Sequence, residues 1–171
     1  MRPTMHSKWA GLAAMAAMAA MGIASHAGAQ GVVLVRDVSY DMALVMAQTA
    51  LEHCRKDNFK IGVSVVDRGG HVLVTLRDHG AAHHTVELAQ RKAYTSRIFR
   101  QSSKDFSQRL RDNPLSAGLG TTSGVLASIG GIPIKVGNEV IGGIGVSGAP
   151  GGERDEACAL AGIAKVADQL K

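Results

Sequence analysis

Along the mature part of the chain, the spacing of apolar positions switches several times between helical and strand periods. Met42, Val45, Met46, Thr49, Ala50 and His53 recur along one side, which predicts a helix with Ser39 as its N-cap. Asp41 sits in its first turn and Arg55 and Lys56 in its last, as the helix dipole favours. From Lys60 to Asp67 the pattern alternates and is β-branched. Arg68-Gly69-Gly70 then turns the chain into His71 to Arg77, so the two runs predict a hairpin. A loop follows from Asp78 to Ala82. Helical recurrence returns between His83 and Arg100, through Val86, Leu88, Ala89, Ala93 and Ile98. Ser103 is the expected cap of a short amphipathic helix through Arg111, which Pro114 ends.

Two more segments complete the pattern. Ile132 to Val136 and Val140 to Val146, joined across Gly137-Asn138, read as a second hairpin, fed by a short strand near Val125 to Ser128. Gly142, Gly143 and Gly145 leave no bulk beside Ile141, Ile144 and Val146. A packed helix or a flat ligand can therefore lie almost against that strand. Asp155 to Leu170 predicts a closing helix whose Ala157, Ala161, Ala164 and Val166 can press on the glycine strands. Helix, two strands, helices, two or three strands, helix is the order of an α+β fold, with one antiparallel sheet of about five strands covered by helices.

Composition changes this picture mainly at the N-terminus. Arg2 and Lys8, the apolar run Leu12 to Ile23 and the small residues Ala27-Gly28-Ala29 before Gln30 predict a secretory signal over residues 1–29. That leaves 30–171 as one domain, exported to the periplasm or secreted. The apolar run is about a dozen residues, shorter than the roughly twenty that a bilayer requires, so no membrane span is expected after cleavage. Removing Arg2 and Lys8, with no acids lost, lowers the formal charge from +5 to +3. With aromatics at only 4% and the Arg91 to Arg111 cations interrupted by Glu87, Asp105 and Asp112, nucleic-acid binding is not expected. Cys54 and Cys158 allow one disulfide in an oxidising compartment or two small core residues, and sequence leaves both open.

The chemistry-bearing residues gather in one region of the sequence. His79, His83 and His84 crowd the loop and helix start after the second strand, with His53 at the end of the first helix. Imidazole can ligate a transition metal or a porphyrin iron, and His83 and Glu87 share a helix face at i, i+4. There is no HExxH, and a zinc site would need three or four ligands. Gly145-Val146-Ser147-Gly148 is too short for the nucleophile motif G-x-S-x-G, and Gly148 to Gly152 lacks the Lys-Ser/Thr of a phosphate loop.

Six stretches in order carry a family resemblance: Val65 to Arg77, Gly80-Ala81, Glu87 to Ser96, Gly130 to Ile134, Val140 to Gly148 and Asp155 to Gly162. Together they resemble the GlcG/HbpS family, a haem-binding group that includes the C-terminal domain of PduO-type proteins. The resemblance implies an α+β fold, homo-oligomers and binding of haem or a related tetrapyrrole. Extracellular members are proposed as haem stores or sensors, which leaves room for a sensor partner. Where relatives read Arg-x-Asp-Gly-Ala, this chain has Arg77-Asp78-His79-Gly80-Ala81, which puts histidine at position 79. The expectation is a haem-binding protein rather than an ordinary enzyme. Its cofactor is haem iron, ligated by His79, His83, His84 or His53, with Arg77 or Lys92 pairing with propionates and the glycine hairpin admitting the ring. For metal binding the candidates are His79, His83 and His84. Two alternatives stay open: an accessory protein or enzyme acting on an organic acid held by Arg77 and Lys92, and a structural oligomer with incidental histidines.

Overall fold

A row of small residues in the middle of the sheet sets how closely the layers approach. The computed structural model describes residues 31–171, so the segment read as a signal lies outside the described residues. Residues Val35–Lys171 form one compact unit. Gly31 to Leu34 belong to a separate unit, in which Val32, Val33 and Leu34 are exposed. The elements in order are α1 (Tyr40–Lys56), β1 (Gly62–Val66), β2 (Val72–Arg77), α2 (His84–Phe99), α3 (Ser103–Asp112), β3 (Gly131–Val136), β4 (Glu139–Ser147) and α4 (Gly152–Lys165). A 3₁₀ segment, Pro114–Thr121, follows α3, and a short one, Ala167–Gln169, ends the chain.

The sheet is antiparallel with order β2-β1-β4-β3, so the two hairpins join through the β1–β4 pair. It has four strands rather than about five. The stretch Val125 to Ser128 does not extend, because Leu126 N is captured by Thr95 Oγ1 of α2 at 2.8 Å instead of by a neighbouring strand. No helix among the described residues is long and apolar enough to cross a membrane.

Side chains alternate between the two faces. Val63 and Val65 of β1 and Ile144 and Val146 of β4 join the apolar core with α1 and α4. On the opposite face lie Gly62, Gly131, Gly143 and Gly145, and α2 rests on them. A Cβ at Gly145 would overlap the Ala89 carbonyl, one at Gly131 the Lys92 carbonyl, and one at Gly143 the backbone of Ala93. The covering alanines are therefore Ala89 and Ala93 of α2, not those of the terminal helix. The terminal helix crosses α1 instead, where a Cβ at Gly162 would reach 2.6 Å from Met46 O.

Local signals account for the helix ends. Ser39 Oγ accepts from Met42 N at 3.2 Å, as the sequence implies. The buried stripe of α1 is Ala43, Met46, Ala47, Ala50, Leu51 and Cys54. It is rotated from the predicted one, leaving Val45 exposed, because close approach to α4 favours the alanine side. Ser102, not Ser103, caps α3 through Asp105 N. Ser103 is buried and its Oγ accepts from Gly131 N at 2.8 Å. Phe99 and Phe106 stack at 4.0 Å and tie α3 to α2. Cys54 and Cys158 form a disulfide with Cα atoms 5.7 Å apart, linking α1 to α4 across 104 residues.

Candidate functional site

The loop after β2 is held firmly at its start. Asp78 is buried, and both of its oxygens accept from Arg55 at 3.0 Å, with Lys60 Nζ at 3.9 Å. The Arg55 hydrogen bonds hold the Asp78 carboxyl below its ordinary range, although burial pulls the other way. Asp78 N donates to Ile61 O and Ala81 N returns to Asp78 O, which closes the turn. Arg77 Nη1 donates to Ala81 O, so this guanidinium braces its own loop.

The predicted histidines ride on this frame without converging. His79 lies in the turn, His83 at the N-cap position of α2 and His84 in its first turn, and all three are exposed. His53 is half-buried near the end of α1. No group of three or more His, Cys, Asp or Glu residues able to hold a metal occurs among the described residues. The expected three-histidine metal set is thus not assembled, because each imidazole faces solvent from a different point of the loop and helix start.

Lys92 is also placed differently from the expectation. It is 3% exposed, and its ammonium donates to Asp155 Oδ2 at 2.9 Å and to Val146 O at 3.0 Å. Asp155, also 3% exposed, accepts Ala149 N at 2.9 Å through its other oxygen. Burial pushes the Asp155 carboxyl up, and Lys92 partly restores it. Expected as a helix-start residue, Asp155 is in fact also the buried counter-ion of Lys92. The ion pair pins α2 to α4, and Lys92 cannot reach a propionate or an organic acid without breaking it. The bare strands are likewise closed: α2 covers Gly143 and Gly145, so no flat ligand enters there.

An open cleft lies elsewhere, between α2, the start of β2 and the loop at Ser123-Gly124. It measures about 490 Å³ and is lined by Gly70, His71, Val72, Gln90, Arg91, Tyr94, Ser123 and Gly124. This falls within the roughly 300–1,000 Å³ usual for small-molecule sites. Tyr94 forms its aromatic wall. The ring is set between Gly70 and Gly124, both left-handed at φ +88° and +78°, where an added Cβ would stand 3.0 and 3.3 Å from it. Arg91 Nη2 donates to Val125 O at 2.8 Å, which fixes the guanidinium at the cleft.

His71 is the imidazole of this cleft, and sequence reasoning treated it only as a strand residue. Its Nδ1 stands 3.4 Å from Asp67 Oδ2 and its backbone N donates to Asp67 Oδ1 at 2.9 Å. The His71 side chain is 84% exposed, so this contact with Asp67 leaves Nε2 accessible to a metal without locking the ring. Asp67 and His71, four apart across Gly69-Gly70, were the readable signal. Tyr94 and Gly124 had none, because thirty residues of chain separate them.

Comparison with known proteins places this architecture. Protein GlcG of Escherichia coli strain K12 is 30% identical over 111 residues, covering 64% of this chain and 81% of that protein. The crystal structure of a double mutant of Streptomyces reticuli HbpS superposes with a TM-score of 0.76 at 33% identity, covering 84% of this chain and 95% of that one. PduOC, solved as a haem complex, superposes with a TM-score of 0.66 at 27% identity, covering 74% and 93%. Residues 38–164 match the family described as haem degrading protein HbpS-like, and the chain belongs to that family.

Proposed function

We propose that this protein is an exported haem-binding protein serving haem storage or sensing, with the porphyrin seated against the Tyr94 cleft. The observation that carries the reading is the family match over residues 38–164, supported by the likeness to PduOC, which was solved with haem. The cleft residues fit the group. Tyr94 and Val72 offer apolar surface to a ring that is mostly carbon, Arg91 offers a cation to a propionate, and His71 offers a nitrogen with Asp67 behind it. Bound haem supplies a redox-active iron. The chain's own part is to present the ligand, shield one face of the ring and neutralise its acids.

One protomer's cleft is open on one side, which favours a second copy completing the enclosure and agrees with the homo-oligomers that the family resemblance implies. Export is supported by the N-terminal pattern and by the Cys54–Cys158 disulfide, a bond that persists in oxidising compartments. The organic-acid alternative loses its support, since Arg77 braces Ala81 and Lys92 is held by Asp155.

The test is a haem titration followed at the Soret band, with alanine at His71, His79, His83, His84 and His53 in turn. A changed spectrum at His71 alone supports the cleft, a change at one of the other four moves the ligand to that residue, and five silent variants reject histidine ligation. Following the band over time with a reductant separates storage, which preserves it, from the degradation named in the family description, which bleaches it. N-terminal sequencing of the periplasmic protein should begin at Gln30.

A further inference from the structure

The two walls of the Tyr94 cleft come from different parts of the fold. Gln90, Arg91 and Tyr94 belong to α2, whereas Gly70, His71 and Val72 belong to the β1–β2 turn and the start of β2. Ser123 and Gly124 go with the helix wall, because Arg91 Nη2 donates to Val125 O and Leu126 N donates to Thr95 Oγ1, each at 2.8 Å. The separation of the walls is therefore set by how α2 is seated on the sheet.

Among the ion pairs of the described residues, Lys92–Asp155 is the one that joins α2 to another element, while Arg91 and Glu87 pair within the helix. Lys92 stands within two residues of Gln90, Arg91 and Tyr94 yet points inward, to Asp155 of α4 and to Val146 O of β4. One turn of rigid helix links the pair to the cleft, so a movement of Lys92 carries Arg91 and Tyr94 with it. A buried ion pair is a poor source of net stability, since the desolvation of both charges offsets their attraction. What it adds to the contact between α2 and α4 is a dependence on charge.

Lys92 is the charged group facing Asp155. The neighbouring chain presents Ala149 N, Val146 O and Gly130, none of which titrates. Burial pushes the Asp155 carboxyl up, so it takes a proton at a pH where an exposed aspartate stays ionised. The Lys92 ammonium is then the uncompensated buried charge, and a shift of α2 toward solvent relieves it. The change is local, because the native chain accepts this proton more readily than the unfolded chain does.

We propose that Lys92 and Asp155 are positioning residues for the Tyr94 cleft, and that proton uptake by the pair loosens α2 and releases the ligand held there. The inference rests on the haem reading for the identity of that ligand, whereas the movement of α2 does not depend on haem.

The chain has two tyrosines, so protein isotope-labelled in its tyrosine rings gives nuclear magnetic resonance signals from Tyr94 and from Tyr40 at the start of α1. In haem-free protein taken from about pH 7.5 to about pH 4, the Tyr94 signal should move while Tyr40 and the far-ultraviolet circular dichroism stay. The double variant Lys92→Met, Asp155→Leu keeps α2 fastened without charge, and its Tyr94 signal should move much less. His71 is common to both proteins, so its own protonation cancels in the comparison. Haem affinity, followed at the Soret band over the same range, should fall roughly tenfold further in the unaltered protein than in the double variant. Superimposable Tyr94 curves overturn the proposal. Distinct Tyr94 curves with superimposable haem curves uphold the positioning role and reject the haem seat instead. If the double variant folds poorly, Asp155→Asn, neutral at every pH, decides the matter. Its Tyr94 signal at neutral pH should match the acid form of the unaltered protein, and a match to the neutral form overturns the proposal.

Discussion

Glycine serves two opposite ends in this molecule, and the contrast locates its ligand chemistry. Under α2, Gly62, Gly131, Gly143 and Gly145 strip the sheet of bulk, and a helix backbone fills the space. At the cleft, Gly70 and Gly124 strip the surroundings of Tyr94, and among the described residues no segment fills the space in front of it. A missing Cβ invites the nearest partner. That partner is backbone where a helix is tethered overhead, and it can be a ligand only where none is. The Lys92–Asp155 pair is the tether that makes the first case, since it holds α2 down on the glycine floor.

If that contrast is right, filling the floor should cost far more than filling the cleft. Gly145→Ala would drive its methyl into the Ala89 carbonyl, and a loss of about 3 kcal/mol or more is expected in chemical denaturation, with α2 displaced. A loss near zero would mean that the helix is not seated as described.

Asp155→Asn tests the tether and should cost about 3–5 kcal/mol, because it leaves the Lys92 ammonium buried without a counter-charge. The paired change of Lys92 to Met and Asp155 to Leu should recover much of that loss. The pH dependence has a definite sign. Burial raises Asp155 above its unfolded value, so the native state holds an extra proton in the window between the two values. Asp155's contribution therefore declines as pH rises through that window. Asp78 behaves oppositely: its carboxyl is lowered, so its stabilisation is present above the unfolded value and is lost as pH falls through the folded one. Stability curves of Asp155→Asn and Asp78→Asn should each lose the corresponding slope.

Removing the disulfide with serine at Cys54 and Cys158 should lower stability by about 2–4 kcal/mol and loosen α1 from α4, while leaving the Tyr94 cleft intact. Unchanged haem affinity in that variant would sharpen the separation of the two regions. The smallest effect belongs to Gly124→Ala, expected to cost about 1 kcal/mol from its positive φ. Its main result should be weaker haem binding as Tyr94 is crowded, and equal affinity would remove Tyr94 from the proposed site.

The fold was largely legible in the chain. Alternation at Lys60 to Asp67 and in the glycine-rich segment marked the hairpins, and Ser39 marked a helix start, because these signals are local and each acts within a few residues. What failed locally is informative. Val125 to Ser128 reads as a short strand in a small-residue stretch, yet Thr95, thirty-one residues from Leu126, diverts its backbone. The histidines His79, His83, His84 and His53 were visible as chemistry, but clustering in sequence did not become convergence in space. His71 was overlooked because its meaning depends on Asp67 behind it and on Tyr94 beside it.

The sequence by itself determined the elements, their order and the family to which they belong, since period, caps and turn residues act over short range. Only the tertiary structure decided which face of each element met which neighbour: that α2 rather than α4 covers the glycines, that Lys92 is spent on Asp155, and that Cys54 meets Cys158. Those outcomes depend on residues tens of positions apart competing for the same buried space and the same counter-charges, and no window along the chain contains that competition.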